Sequence, residues 1–185
     1  MAAPSEQLRY QGEALQQLVA GVKADQWDNP TPCAKWTVRD LAGHIVGGGT
    51  MFAASFRGDA PQEGDPGDLL GDDPAGALAK VFSDFEAAAD LPGAMEREIV
   101  LPFATLPAQV ALDVAKFDLL VHAWDLAHAT GQSFDPPADV VENARATAAG
   151  MVDGIRDGDT FGDAAEVPAG ASPIDELAAF CGRSV

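Results

Sequence analysis

The run Leu112-Asp113-Val114-Ala115-Lys116-Phe117-Asp118-Leu119-Leu120-Val121-His122-Ala123-Trp124-Asp125-Leu126-Ala127-His128-Ala129 contains no glycine and no proline. Pro107 stands where a proline suits a first helical turn, and Gly131 where a glycine suits a C-terminal cap. The spacing predicts one long helix between them. Two of the chain's 3 histidines, His122 and His128, lie on it.

Upstream, Thr37 with Asp40 three residues later is an Asp variant of the capping box, and Val38, Leu41, Ile45 and Phe52 follow on one face. This predicts a second helix, with Gly47-Gly48-Gly49 either ending it or letting something approach closely. Leu8, Leu15, Leu18, Val19 and Val22 predict a helix over 5–24, and Asp73-Pro74 opens another running to about Asp90. Pro136-Pro137 begins one to about Met151, and Ser172-Pro173-Ile174-Asp175 starts a tail helix. Pro30 and Pro32 forbid regular helix between the first two, and Arg57 to Gly71 reads as a surface loop. Glu98 to Phe103 reads as a short extended crossover rather than part of a large sheet. The expected class is all-α, an antiparallel bundle with a C-terminal tail helix.

The sequence has 185 residues, which makes one domain over 1–185 the expectation. Its formal net charge is −18, so phosphate-rich partners are repelled: neither nucleic acid nor an anionic membrane is expected to bind. No apolar run approaches the ~20 residues of a membrane span. No export signal is visible. Cys33 and Cys181, the 2 cysteines, therefore suggest a reduced cytoplasmic protein.

Asp118 and His122 are four apart, on one helical face and one turn from each other. They can grip a divalent cation if a third ligand arrives from a facing helix, and His44 is the histidine available for it. Two imidazoles and one carboxylate leave coordination positions open, as catalytic sites do. Spacing alone favours another reading: a helix-face His is commonly a packing residue, and Asp-x-x-x-His a solvated or capping pair. Asp125 is placed to orient an imidazole, or else is an exposed acid. His128 points away from His122 and reads as surface or pocket rim. Trp36 and Trp124 read as core or pocket wall, and Cys33 as a helix-start thiol or a small buried filler. No catalytic residue is assigned.

Two signatures carry a resemblance. Trp27-Asp28-x-Pro30-Thr31-Pro32-Cys33-x-x-Trp36-Thr37-Val38-Arg39-Asp40-Leu41-x-x-His44 resembles the opening of the actinobacterial DinB-like proteins, relatives of the N-terminal domain of mycothiol-dependent maleylpyruvate isomerase. Leu101-Pro102-Phe103, followed by Asp118 through Gly131, resembles their second signature, and Ala171-Ser172-Pro173 through Gly182-Arg183 their ending. The resemblance implies a DinB-like four-helix bundle, often dimeric, that holds one divalent metal, zinc first and nickel second. Its implied ligands are His44, Asp118 and His122, with Asp118 where the isomerase has Glu and His128 where many relatives have Arg. The isomerase has a further C-terminal domain, whereas this sequence stops at Val185, so maleylpyruvate isomerisation itself is not the expectation.

The leading functional expectation is a metal-dependent enzyme that transfers a low-molecular-weight thiol such as mycothiol to an electrophilic small molecule, or a thiol-dependent isomerase. Arg57 to Gly71 and the crossover near Phe103 are expected to shape its pocket. The alternatives are a non-catalytic metal- or small-molecule-binding protein, and a plain dimeric interaction module with the histidines in its core.

Overall fold

The computed structural model describes residues 3–33, 35–59, 67–156 and 160–185. Its helices are α1 (Pro4–Ala20), α2 (Val38–Arg57), α3 (Pro74–Ala89), α4 (Ala108–Thr130), α5 (Ala138–Met151) and α6 (Pro173–Phe180). Strands β1 (Glu98–Val100) and β2 (Thr105–Pro107) form one antiparallel hairpin, pairing Ile99 with Leu106. The all-α expectation holds. The crossover is extended as expected, but it folds back and pairs with itself. Pro107 closes β2 and immediately precedes the first residue of α4, where its missing N–H costs no helical bond.

The caps follow the sequence chemistry. Thr37 Oγ1 accepts from the Asp40 amide, and Asp40 returns a bond to the Thr37 amide at 2.9 Å. α2 runs unbroken through the glycine triplet to Arg57, and Gly58 ends it in a left-handed turn at φ 84°. Of the three glycines, Gly49 is the one that needs to be small. A Cβ there would stand 2.9 Å from Val81 Cγ2 on α3.

α1 packs on α3 and α4, and α2 packs on the same two, so four helices close around one core. Leu8, Leu15, Leu41, Ile45, Leu78 and Leu112 are fully buried within it. A second core lies on the opposite side of α4, where Phe117, Leu120, Val121 and Trp124 meet α5 and α6. α4 thus stands between two cores, and every residue from Leu119 to Ala127 is buried. A helix covered on all sides has no polar face to spend on solvent, so buried polar groups on it need partners. No helix among the described residues is long and apolar enough to cross a membrane. Residues 60–66 of the expected surface loop lie outside the described residues.

Candidate metal centre

The segment before α2 contributes residues to the lining of a cavity. The Pro30–Thr37 bridge and the bonds Val38 N–H to Asn29 O and Arg39 N–H to Trp27 O bring residues 27–30 back against 37–39 in a tight return. Thr31 Oγ1 donates to the carbonyls of Cys33 at 3.1 Å and Trp36 at 3.0 Å. Lys35 sits at φ 76°, a left-handed conformation unusual for a residue with a side chain. The turn brings Cys33, Lys35 and Trp36 to a cavity of about 390 Å³, also lined by His44, Asp118, His122, Phe117, Val121, Phe161 and Arg183.

Three donors converge in it. Asp118 Oδ1 lies 3.4 Å from His122 Nε2, and Asp118 Oδ2 lies 3.8 Å from His44 Nε2. The two imidazoles meet edge to face with centroids 4.9 Å apart. Donors that share a tetrahedral cation at bond lengths near 2.1 Å stand about 3.4 Å from each other. One donor from each residue, all within 4.8 Å of one another, therefore fits a single divalent ion after a small contraction. His44 and Asp118 are half-buried, while His122 is buried. Trp36 lies against both rings, 4.5 Å from His44 and 5.9 Å from His122.

His122 is oriented from behind. Its Nδ1 lies 3.1 Å from Asp125 Oδ2, and Asp125 has no solvent exposure. Because the carboxylate accepts the Nδ1 proton, the Nε2 lone pair is left for the cavity, the usual arrangement for a metal-ligating histidine. Desolvation opposes the charge on Asp118, but His122 and then His44 outweigh it and hold its carboxyl far below the ordinary range. Burial likewise opposes a charged His122, yet Asp118 and Asp125 raise its pKa well above the usual value. A proton and any cation held at this site would therefore compete for Nε2.

Asp125 is also a ligand-set candidate with Cys33 and His122. Its oxygens, however, already accept from Arg183 Nε at 3.2 Å and Nη2 at 3.1 Å, and the guanidinium charge repels a cation there. The His44–Asp118–His122 set carries no such cost.

For two residues with alternative readings, the structure takes the one away from the cavity. Trp124 faces the second core and donates its indole N–H to Asp175 Oδ1 at 2.8 Å. His128 is exposed and stacks on Trp124 at 4.8 Å, so it is surface and not the rim of this cavity. Of the expected shaping by Arg57 to Gly71 and the crossover, the crossover does not line the cavity, with Phe103 61% exposed, and neither do the described residues of the loop, whose residues 60–66 lie outside the described residues. Phe161 and Arg183 of the tail take that place. They carried no signal as site residues, because contacts across such sequence separations leave no local pattern. The nearest clue is glycine: at Gly182, φ 86°, a Cβ would stand 2.7 Å from the Gly162 nitrogen, and this close approach seats the tail beside the cavity.

Residues 8–127 match the family model described as mycothiol maleylpyruvate isomerase N-terminal domain. The chain belongs to this family. The isomerase-domain match contains the four residues His44, Asp118, His122 and Asp125, and ends before Phe161 and Arg183. Two relatives of the family member are Uncharacterized protein MT0763 of Mycobacterium tuberculosis strain CDC 1551 / Oshkosh and Uncharacterized protein Rv0738 of strain ATCC 25618 / H37Rv. Each is 38% identical over 175 residues, covering 94% of this chain and 93% of the relative. No solved structure gives a significant match.

Proposed function

We propose that this chain is a divalent-metal-dependent enzyme that transfers a low-molecular-weight thiol of the mycothiol type to an electrophilic small molecule. The observation that carries the reading is the convergence of His44, Asp118 and His122 on one side of a cavity large enough for such a substrate. When bound, a divalent cation supplies Lewis acidity that makes a thiol a nucleophile near neutral pH. Zinc is the first candidate and nickel the second, since an N₂O donor set suits both.

The chain's own residues do the rest. Asp125 keeps the proton on His122 Nδ1. Trp36 covers both imidazoles, and Phe117, Val121 and Phe161 offer apolar surface to the body of the acceptor and keep water from it. Family membership supports the thiol chemistry, and the closed set of α1 to α4 supports the DinB-like antiparallel four-helix bundle over a single domain, 1–185. The reading places the protein in the cytoplasm, with a small-molecule substrate, a homodimeric assembly and no nucleic-acid or membrane partner.

The test is zinc-loaded protein incubated with mycothiol and a panel of electrophiles, with thiol consumption followed against a His44→Ala control. Consumption above the control is expected. Stoichiometric zinc with no consumption above the control overturns the enzyme and leaves a non-catalytic metal- or small-molecule-binding protein.

A further inference from the structure

We infer that Arg183, in the C-terminal tail, is a positioning residue for this metal centre: it holds the Asp125 carboxylate in the plane that aims His122. The inference rests on the reading of His44, Asp118 and His122 as a cation site. Arg183 is only 5% exposed, and its guanidinium meets both Asp125 oxygens side-on, Nε to Oδ1 at 3.2 Å and Nη2 to Oδ2 at 3.1 Å. Such a fork fixes the carboxylate plane as well as its charge, which a lysine cannot do. The oxygen that takes Nη2 is the same Oδ2 that faces His122 Nδ1. The orientation of the tail is therefore passed through one carboxylate to the ring.

The guanidinium is itself fully held. Nη1 donates to the Cys181 carbonyl at 2.9 Å, Nη2 reaches Cys33 Sγ at 3.2 Å, and the group lies 5.7 Å from the centre of the Phe161 ring. Although the group lines the cavity, each of its nitrogens already meets an acceptor, so Arg183 is not a spare cation waiting for a substrate anion. A buried ion pair is a poor stabiliser compared with apolar packing. What this pair adds beyond packing is the angle of Asp125 under His122.

The test uses the full chain with Arg183→Met, Arg183→Lys, Asp125→Asn and the Arg183→Met/Asp125→Asn double variant. Zinc affinity is read by competition with a chromophoric chelator, and ligand geometry by the visible spectrum of the cobalt(II)-loaded protein. Arg183→Met is expected to weaken zinc by about 10- to 100-fold, the range seen when the partner of a ligating histidine is lost. It should also shift the cobalt bands, and the double variant should be no weaker than Asp125→Asn, since both act through one chain of contacts. Arg183→Lys should fall between wild type and Arg183→Met, and it is the variant to read if Arg183→Met does not fold. A merely structural ion pair lowers the melting temperature and leaves affinity and cobalt bands unchanged, and that result overturns the inference. Wild-type protein that takes up no zinc overturns the cation reading and this inference together. Zinc uptake indifferent to Arg183 overturns this inference alone.

Discussion

Asp118 spans the two imidazoles of the site, with Oδ1 3.4 Å from His122 Nε2 on its own helix and Oδ2 3.8 Å from His44 Nε2 on α2. One carboxylate thus faces imidazoles on two helices, which also meet through those rings edge to face. It is the counter-charge for His122 here, and under the proposed function it would serve as a ligand when a cation is bound. Under that reading the same geometry would serve both states, with only a small contraction on metal uptake.

Removal of single ligands should separate structure from binding. Asp118→Ala, His44→Ala and His122→Ala are each expected to drop zinc from about one ion per chain to a small fraction, as loss of one of three protein ligands leaves an incomplete site. Metal analysis after gel filtration reads this. Asp118→Glu should retain zinc, because the added methylene lengthens a half-buried side chain with room beside it. Full occupancy in the three alanine variants would remove these residues as ligands.

Two glycines one residue apart should respond with opposite sign. A Cβ on Gly48 meets nothing within 4 Å, so Gly48→Ala is expected to stabilise by about 0.5–1 kcal/mol through helix propensity alone. At Gly49 the Cβ meets Val81 at 2.9 Å, and Val is stiff at χ1, so Gly49→Leu should cost about 1–3 kcal/mol by overpacking. Val81→Ala should recover part of that cost when combined with Gly49→Leu. Chemical denaturation at one temperature measures all four proteins.

The parts of this molecule visible in the sequence are those written locally. Thr37 with Asp40 marks a helix start because capping is a three-residue event, and Gly131 marks a stop because the left-handed turn at φ 68° favours glycine. Asp118 and His122 were legible as a pair because helical spacing fixes their face. The site's other half was not. Arg183 lies 58 residues from Asp125 and has the look of an exposed tail cation, and Cys33 has the look of a filler. Cys181 fits that second description, with burial pushing its thiol up to about 11, whereas Cys33 lines the cavity. Of the two readings open for Trp124, core or pocket wall, the structure takes the core. Trp124 neighbours Asp125, but α4 lies between two cores, so adjacent residues face different surroundings.

Zinc withdrawal should register in stability. A ligand that binds only the folded state, held at about 100 times its Kd, stabilises by about 2.7 kcal/mol. The zinc-loaded protein should therefore melt several degrees above the chelated one, and the gap should vanish in His122→Ala. An interaction module with the histidines as plain core residues predicts no gap at all, and scanning calorimetry with and without chelator decides between them.

The second core carries its own acid sensitivity at Asp175. This residue closes the capping box of α6, where Oδ2 accepts from the Ser172 hydroxyl at 2.8 Å, and it ties α6 to α4 where Oδ1 accepts from the Trp124 indole at 2.8 Å. Partial burial opposes its charge, but the indole and then Ser172 outweigh it and hold the carboxyl below the ordinary range. A carboxyl lowered on folding contributes stability that is fully present above its unfolded value, about 3.9, and is lost as pH falls through the folded one. Asp175→Asn should therefore be less stable than wild type at pH 7 by about 1 kcal/mol, the size of a lost cap. The difference should shrink as the pH is lowered beneath about 4, because protonation brings wild type to the variant's state. Urea titrations of both proteins at pH 7, 5, 4 and 3 measure it. A difference that stays constant across that series would show that the Asp175 charge contributes nothing to docking α6.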